Sequence, residues 1–361
     1  MTKKASHYGL PFFMTMKAHF ILLLMLLPLT TLRAQHQEVE FPILFWNAEN
    51  LFDCKDDPIK SDEDFTPEAL KHWTGYRYRS KINQMARVII EANAWNPPAI
   101  IGLCEVENDS VLHGLTHYTG LRNLGYEFII TDSKDQRGID VALLYQPELF
   151  KVLTTESIDV GRLPINQKFT RDILHVSGLV ASGDTLDFFV AHFPSRTGGQ
   201  RRSNKNRLHV AQILQNKIEE VYEIRETAHV ILMGDFNDYP SNESIQKVLQ
   251  AKPPLSDETK NDQTLYHLLS DSRGQKEWGT YKYKNQWGVL DHFIVSGSLL
   301  SSTSTFFTSQ NQTEIIRLPF HLTVDEKYGG TKPFRTYNGM HYLGGYSDHL
   351  PIISKFTLRL N

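Results

Sequence analysis

The stretch VILMGDFNDYP at residues 230–240 decides the fold. Its first four residues are apolar without alternation, which predicts a strand buried on both faces. The strand is expected to end at Gly234, and the turn-forming DYP follows almost at once. An extended backbone would point the side chains of Asp235 and Asn237 to the same side. Taken alone, the stretch also fits a strand with an ordinary turn, but open α/β sheets bind ligands at such strand ends.

Other apolar runs carry polar side chains at their ends in the same way. Such runs are followed by Asn47, Glu105 and His192, and the pair Asp348-His349 precedes the last apolar run. If these ends meet at one edge, they form a site rich in carboxylates and histidines without a thiolate cluster. Hard oxygen ligands favour Mg²⁺, Mn²⁺ or Ca²⁺ over structural zinc.

The remaining pattern predicts mixed sheets covered by helices. One helix carries apolar residues at helical spacing from Ile82 to Ile90, with Thr66-Pro67-Glu68 as its N-terminal cap, and another covers residues 203–224. Three hairpins are predicted, each from two apolar runs joined by a polar turn. The paired runs are 126–131 with 139–145, 173–181 with 186–191, and 279–284 with 289–296.

The first 34 residues have the order of a secretory signal peptide, with lysines ahead of the short apolar run at 20–27. We therefore expect an exported protein, periplasmic or extracellular, whose residues 35–361 form a single catalytic domain. A start at Met14 or Met16 would give a more usual leader. A retained membrane anchor is the alternative, although the run is short for a bilayer span. After cleavage the protein is not expected to be an integral membrane protein.

The mature chain is mildly acidic. Cleavage after residue 34 leaves 34 basic residues against 41 acidic ones, a net charge near −7. This charge argues against broad electrostatic capture of nucleic acid, though a local basic patch remains compatible with it. Only Cys54 and Cys104 are present, and two cysteines in an oxidising compartment predict free thiols or a dispensable bridge.

Six motifs, in this order along nearly the whole mature chain, resemble the endonuclease/exonuclease/phosphatase superfamily. Its members include pancreatic deoxyribonuclease, abasic-site endonucleases, bacterial sphingomyelinases and inositol polyphosphate phosphatases. The six together are far more specific than any one of them. The motifs are NAENLFD at 47–53, CEVEN at 104–108, HFPSR at 192–196, GDFND at 234–238, LDH at 290–292 and SDHLP at 347–351.

The resemblance implies an α/β fold of the deoxyribonuclease-like kind, a four-layer sandwich of two packed mixed β-sheets flanked by helices. It also implies a metal-dependent phosphoesterase site at the shared end of the sheets, with Mg²⁺ as cofactor and Mn²⁺ or Ca²⁺ as alternatives. By this resemblance Glu105 is the principal metal ligand, and Asn47 and Asp348 lie near the metal.

The same resemblance implies catalytic roles for five residues. Asp235 positions or deprotonates the attacking water, and Asn237 binds phosphate beside it. His349 contacts the scissile phosphate, and Asp291 orients that histidine. His192 matches a second histidine of the deoxyribonuclease and sphingomyelinase branches, which tilts the interpretation away from abasic-site repair.

The sequence is less informative about the substrate. Arg137, Arg171 and Arg196 are candidates for contact with substrate phosphates, and the basic stretch 196–207 fits either a phosphate-binding loop or a solvated helix start. The aromatic stretch 281–287 fits base stacking less well than ordinary sheet packing.

The leading hypothesis is an exported, divalent-metal-dependent phosphodiester hydrolase, an endonuclease-like enzyme that uses a metal-activated water to cleave nucleic acid. No stable protein partner is implied. The alternatives are a phospholipid or phosphomonoester hydrolase of the same fold and a binding module that has lost turnover.

Overall fold

A computed structural model describes residues 37–254, 260–272, 274–275 and 277–360. The predicted signal peptide at residues 1–34 lies outside the described residues. Within the described part of the chain, no helix is long and apolar enough to cross a bilayer. The chain from Glu38 to Leu360 forms one compact unit.

Three α-helices and nineteen strands are present in the described residues. The helices are α1 (Gly75–Glu91), α2 (Asp109–His117) and α3 (Gln200–Ile224). The strands are β1 (Gln37–Leu51), β2 (Ile100–Val106), β3 (Glu127–Ile130), β4 (Asp140–Tyr145), β5 (Lys151–Ile158), β6 (Ile173–Leu179), β7 (Thr185–His192), β8 (His229–Asp235), β9 (Leu265–His267), β10 (Tyr281–Tyr283), β11 (Gln286–Gly288), β12 (Asp291–Ser296), β13 (Phe306–Phe307), β14 (Thr313–Ile315), β15 (Leu322–Val324), β16 (Thr331–Pro333), β17 (Tyr337–Asn338), β18 (His341–Tyr342) and β19 (Ile352–Leu360).

The strands build two large mixed sheets. The first has the order β13-β19-β1-β2-β4-β3, with β14 also paired to β19, and the second has the order β5-β6-β7-β8-β12-β9. In the first sheet β1 and β2 are parallel, with Asn47 opposite Cys104. This pairing brings Asn47 and Glu105 to the same end of the sheet.

The register of the second sheet places three predicted site residues side by side. Strands β7 and β8 are parallel and pair His192 with Asp235, whereas β12 runs antiparallel to β8 and pairs Asp291 with Asp235. Hydrogen bonding between the strands therefore fixes the spacing of these three side chains before any side-chain contact forms.

Alternating apolar side chains on the central strands form the core on both sides of each sheet. Ile231 and Met233 of β8 point into the cluster between the sheets, whereas Val230 and Leu232 point to the cluster under α3. In β1 the same alternation sends Phe45 to the central cluster. The prediction that these strands are buried on both faces is confirmed.

The helices complete the four predicted layers. Ile82, Met85 and Ile89 of α1 pack on the outer face of the first sheet. Leu214 and Ile218 of α3 pack on the outer face of the second. The predicted fold class, two packed mixed sheets flanked by helices, is confirmed.

The start of α1 was predicted incorrectly. Thr66-Pro67 does not cap a helix; α1 begins after Thr74, whose hydroxyl accepts a hydrogen bond from the Arg77 N–H at 3.4 Å. Phe65 stacks on Phe52, and the indole of Trp73 donates to the Phe52 carbonyl. Because both aromatic residues bury against this point, the chain between them folds as turns rather than helix.

The third predicted hairpin is also wrong. Strand β10 pairs with β11, not with the run at 289–296, and β12 instead joins the second sheet between β8 and β9. The turn between β10 and β11 contains Lys284 at a positive φ of 54°, a conformation found in two-residue hairpin turns. The other two predicted hairpins are confirmed.

Replacing Ile231 by Ala should lower the free energy of unfolding by about 2 to 5 kcal/mol, because its side chain is fully buried between the sheets. Ile224, which is 73% exposed at the end of α3, is the matched control, and Ile224→Ala should cost less than about 0.5 kcal/mol. Urea unfolding measures both. Similar losses for the two variants would contradict the packing described here.

Candidate active site

The polar strand ends open into one cleft of about 720 Å³. It lies where the ends of β2, β7 and β8 meet the residues before β19. Two further predicted residues, Asn47 and Asp291, are buried directly behind the cleft and bond to residues that line it. The predicted residues lining the cleft are Glu105, Arg137, His192, Arg196, Asp235, Asn237, Asp348 and His349.

Asp235 is the centre of the site. Its carboxylate is buried, and the backbone N–H of Asn237 donates to Oδ1 at 2.9 Å while the Asn47 amide donates to Oδ2 at 3.1 Å. The Nε2 atoms of His192 and His349 lie 3.6 and 3.8 Å from the same Oδ2. Nitrogen atoms from both sheets therefore converge on one oxygen.

Burial raises the pKa of Asp235 to about 7; His349 opposes this increase, and Asp291 adds to it. A carboxyl group with a pKa near neutrality is suited to accept and release a proton at physiological pH. The physical cause is desolvation, which disfavours the charged carboxylate.

His349 is held by Asp291. Its Nδ1 lies 2.7 Å from Asp291 Oδ2, and its backbone is fixed by the Trp46 indole, which donates to the His349 carbonyl at 2.9 Å. Burial alone would lower the pKa of His349, but the charges of Asp291 and Asp235 outweigh it and raise the pKa well above the usual value. The imidazole is therefore protonated at neutral pH and directs Nε2–H toward the cleft.

His192 is in the opposite state. Burial, followed by the charges of Arg171 and Arg137, lowers its pKa well below the usual range, so its ring is neutral. The site thus contains one protonated and one neutral histidine on either side of Asp235. Groups whose environments separate their pKa values in this way are typical of acid–base catalysis.

Glu105 sits at a distortion in β2. Its φ is +59°, and the pairing of β2 with β4 shifts register at this point, which turns the carboxylate into the cleft. Oε2 accepts a hydrogen bond from the Asn50 N–H at 3.0 Å, and Arg137 Nη2 lies 3.6 Å away. The Glu105 carboxylate thus lines the cleft with Oε2 engaged by the backbone.

Asn47 is buried beside Asp235. Its amide oxygen accepts from the Glu49 N–H at 2.9 Å, and its amide nitrogen donates to Asp235. The amide thus fixes the Asp235 carboxylate, and its oxygen is engaged by the Glu49 N–H. Asp348 does line the cleft with Glu105, and its Oδ2 lies 3.1 Å from Arg335 Nη2.

The donor atoms present fit a divalent cation. Ligand atoms of Asp235, Asp291 and His349 all lie within 4.8 Å of one another, and the contact between His349 and Asp291 uses Nδ1 and Oδ2. The carboxylates of Glu105 and Asp348 face the same cleft. Oxygen donors of this kind suit Mg²⁺ or Mn²⁺, so the carboxylates of this group and of the cleft lining are the available ligands for a cation.

The three predicted arginines have different positions. Arg137 comes from the turn between β3 and β4 of the first sheet and Arg196 from the loop after β7 of the second, and both line the cleft. Arg171 is buried behind it, where it lies 3.2 Å from Asp135 Oδ2 and donates to the carbonyls of His192 and Phe193. This position does not support the predicted phosphate contact, because the guanidinium is used to hold the backbone at His192.

Sequence reasoning missed the pair Glu49 and Arg335. Arg335 bridges Asp348 to Glu49, whose carboxylate also accepts the Thr336 N–H at 2.6 Å. Behind them the buried Lys81 donates to the Thr336 hydroxyl. A lysine on the apolar face of α1 was the available signal, since such a residue requires buried partners.

This fold and site define the class of protein as a phosphoesterase. A family model described as "Endonuclease/Exonuclease/phosphatase family" matches residues 42–357, and the chain belongs to that family. A search of curated proteins found no match.

Several solved structures share the fold at low identity. An endonuclease/exonuclease/phosphatase family protein from Bacteroides thetaiotaomicron is 15% identical over 90% of this chain and 96% of its own, with a TM-score of 0.55. A mannosyl-6-phosphatase from the same organism is 15% identical over 88% and 99%, with a TM-score of 0.53. D. rerio TDP2 complexed with single strand DNA product is 16% identical over 88% and 98%, with a TM-score of 0.51.

Asp235→Ala and His349→Ala should each lower the turnover of bis(p-nitrophenyl) phosphate at least about 100-fold, because each removes a proton-transfer or charge-stabilising group. Far-UV circular dichroism should be unchanged. Asp159→Ala and His341→Ala, which alter exposed residues outside the cleft, are the matched controls and should retain full activity. Near-normal turnover in either site variant would show that the chemistry lies elsewhere.

Proposed function

We propose that the protein is a divalent-metal-dependent phosphodiester hydrolase that acts on nucleic acid after export from the cytoplasm. One observation carries the proposal: a buried carboxylate, Asp235, lies between a protonated and a neutral histidine at the floor of an open cleft. This arrangement can accept the proton of an attacking water and stabilise the negative charge of a phosphate at the same time.

Asp235 is the proton acceptor in this proposal. A pKa of about 7 lets the carboxylate take a proton from water at neutral pH. The hydrogen bonds from Asn47 and Asn237 hold its two oxygens in place. The attacking water is therefore oriented by a group that is itself rigid.

The two histidines face the phosphate from either side of Asp235. The protonated His349 donates Nε2–H to a phosphoryl oxygen, and its bond to Asp291 keeps the ring and the charge in place. Neutral His192 offers Nε2 to the same region, and Arg171 fixes its backbone. Both rings are preorganised, so little reorganisation is needed as charge develops.

Acid–base help is not sufficient by itself. Hydrolysis of an unactivated phosphoester requires a barrier reduction of roughly 20 kcal/mol, and one positioned histidine supplies about 10²- to 10⁴-fold, or some 3 to 5 kcal/mol. A divalent cation, when bound by Glu105 and Asp348, supplies neutralisation of phosphoryl charge and a more acidic water.

The walls of the cleft favour a phosphodiester, in which the substrate continues on both sides of the phosphate. Arg137 extends from the first sheet and Arg196 from the second, and the guanidinium is suited to bind phosphate oxygens in pairs. Tyr281 and Tyr283 line the cleft beside them, and aromatic rings stack on bases. The TDP2 structure contains a DNA product, which supports nucleic acid as the substrate class. The similarity to a mannosyl-6-phosphatase supports a sugar phosphate as the alternative substrate.

A substrate panel tests the proposal. Purified protein should cleave plasmid DNA or RNA with Mg²⁺, and EDTA should abolish the cleavage. The same preparation should act much more slowly on sphingomyelin, inositol phosphates and mannose 6-phosphate. The Asp235→Ala variant, purified in parallel, controls for contaminating nucleases.

Intact nucleic acid alongside rapid release of phosphate from mannose 6-phosphate would contradict the proposed substrate. Full activity in EDTA would contradict the metal requirement. Export is checked separately, by N-terminal sequencing of the protein from its native host, and the expected start lies near residue 35.

A further inference from the structure

A second hollow of about 540 Å³ lies beside the catalytic cleft. The hairpin of β10 and β11 separates the two spaces: Tyr281 and Tyr283 of β10 line the cleft, whereas Trp287 of β11 lines the hollow. Tyr239 lines both. Tyr239 is therefore the residue at which the cleft and the hollow adjoin.

The hollow has the chemistry of a site for a flat, neutral group. Its described lining consists of aromatic rings and amide or hydroxyl side chains, with no charged side chain among them. Trp278 and Trp287 supply aromatic surface, and Asn285 and Gln286 can both donate and accept hydrogen bonds. A nucleobase finds aromatic surface for its faces and amides for its edge among these residues.

The walls of the hollow are held in place by neighbouring cations and by a glycine. The guanidinium of Arg317 lies 4.4 Å from the ring centroid of Trp287, and that of Arg196 lies 4.1 Å from the ring of Tyr239. A Cβ atom on Gly288 would come within 2.4 Å of the Tyr239 ring. A side chain at position 288 would displace the Tyr239 ring, so glycine fixes the position of Tyr239 at the junction.

We propose that the hollow binds one nucleobase of the substrate strand, adjacent to the scissile phosphate at Asp235. The inference rests on the proposed function and adds a specificity subsite to it. To enter this hollow, a base in a duplex must first unpair and unstack from its neighbours. The subsite therefore favours single strands and frayed ends over intact duplex. It also predicts that cleavage depends on a base at one fixed distance from the cut.

A set of single-stranded oligonucleotides, each with one abasic nucleotide at a different distance from a single cleavage position, tests this subsite. For the wild-type protein, one abasic position should raise KM about 10-fold, the scale of one lost base stack. In Trp287→Ala, KM for the intact strand should rise by a similar factor, and the abasic position should have no further effect. Bis(p-nitrophenyl) phosphate, which lacks a base, should be hydrolysed at the wild-type rate.

Two further variants guard against misfolding. Trp287→Phe keeps an aromatic ring and should stay within about threefold of wild type on the intact strand. Trp95→Ala removes a tryptophan that is 72% exposed and away from both spaces, and should change nothing. If Trp287→Ala does not fold, the abasic oligonucleotides with the wild-type protein still test whether one base contributes to binding.

The proposal is overturned if strands are cleaved but no abasic position matters, or if Trp287→Ala lowers activity on bis(p-nitrophenyl) phosphate as much as on the strand. It is also overturned if Trp287→Ala impairs only sugar phosphate hydrolysis. Hydrolysis of bis(p-nitrophenyl) phosphate without cleavage of any strand removes the nucleic-acid function itself, so the two failures are distinguishable.

Discussion

Burial of the Asp235 carboxylate is the constraint on which the rest of the structure depends. A carboxylate taken out of water is costly unless hydrogen-bond donors replace the lost solvent. The donors here come from both sheets, Asn47 from β1 and Asn237 from the residues after β8. The two sheets must therefore pack with these strand ends in contact, and the central apolar cluster between them fixes that packing. The hydrogen bonds that stabilise the buried Asp235 carboxylate offset the loss of solvent only in part. The pKa of Asp235 therefore stays near 7.

The strand ends also carry backbone strain. Glu49, Asn50, Glu105 and Asn237 all have φ between 48° and 59°, in the left-handed region that non-glycine residues rarely adopt. Each such residue costs on the order of 1 kcal/mol or more and persists only where surrounding contacts enforce it. In β1 and β2 the strain coincides with register shifts that turn side chains out of the regular alternation. The strained backbone at Glu105 therefore lowers the stability of the fold and directs the Glu105 side chain into the cleft.

Sequence reasoning recovered what depends on periodicity and local order. The runs ending at Asn47, Glu105 and Asp235 are apolar enough to identify buried strands, and motif order identified the fold. Sequence reasoning failed where contacts between distant parts of the chain determine the structure. The partner of β10 depends on a two-residue turn at Lys284, and the burial of Arg171 depends on carbonyls at the end of β7, a different strand. The hydrogen bond from the Asn47 amide to Asp235 joins residues far apart in the chain, and no local pattern reveals it.

We propose that residues from both sheets surround one phosphate, beside Asp235, and one cation, held by Glu105 and Asp348. A crystal structure with Mn²⁺ and a bound phosphorothioate tests it most directly, because the anomalous signal of manganese locates the cation independently. The account predicts manganese at Glu105 and Asp348, and phosphoryl oxygens within hydrogen-bond distance of His349 Nε2. Manganese bound only in the separate acidic hollow lined by Asp57, Glu107 and Asp140, with nothing in the cleft, would contradict it.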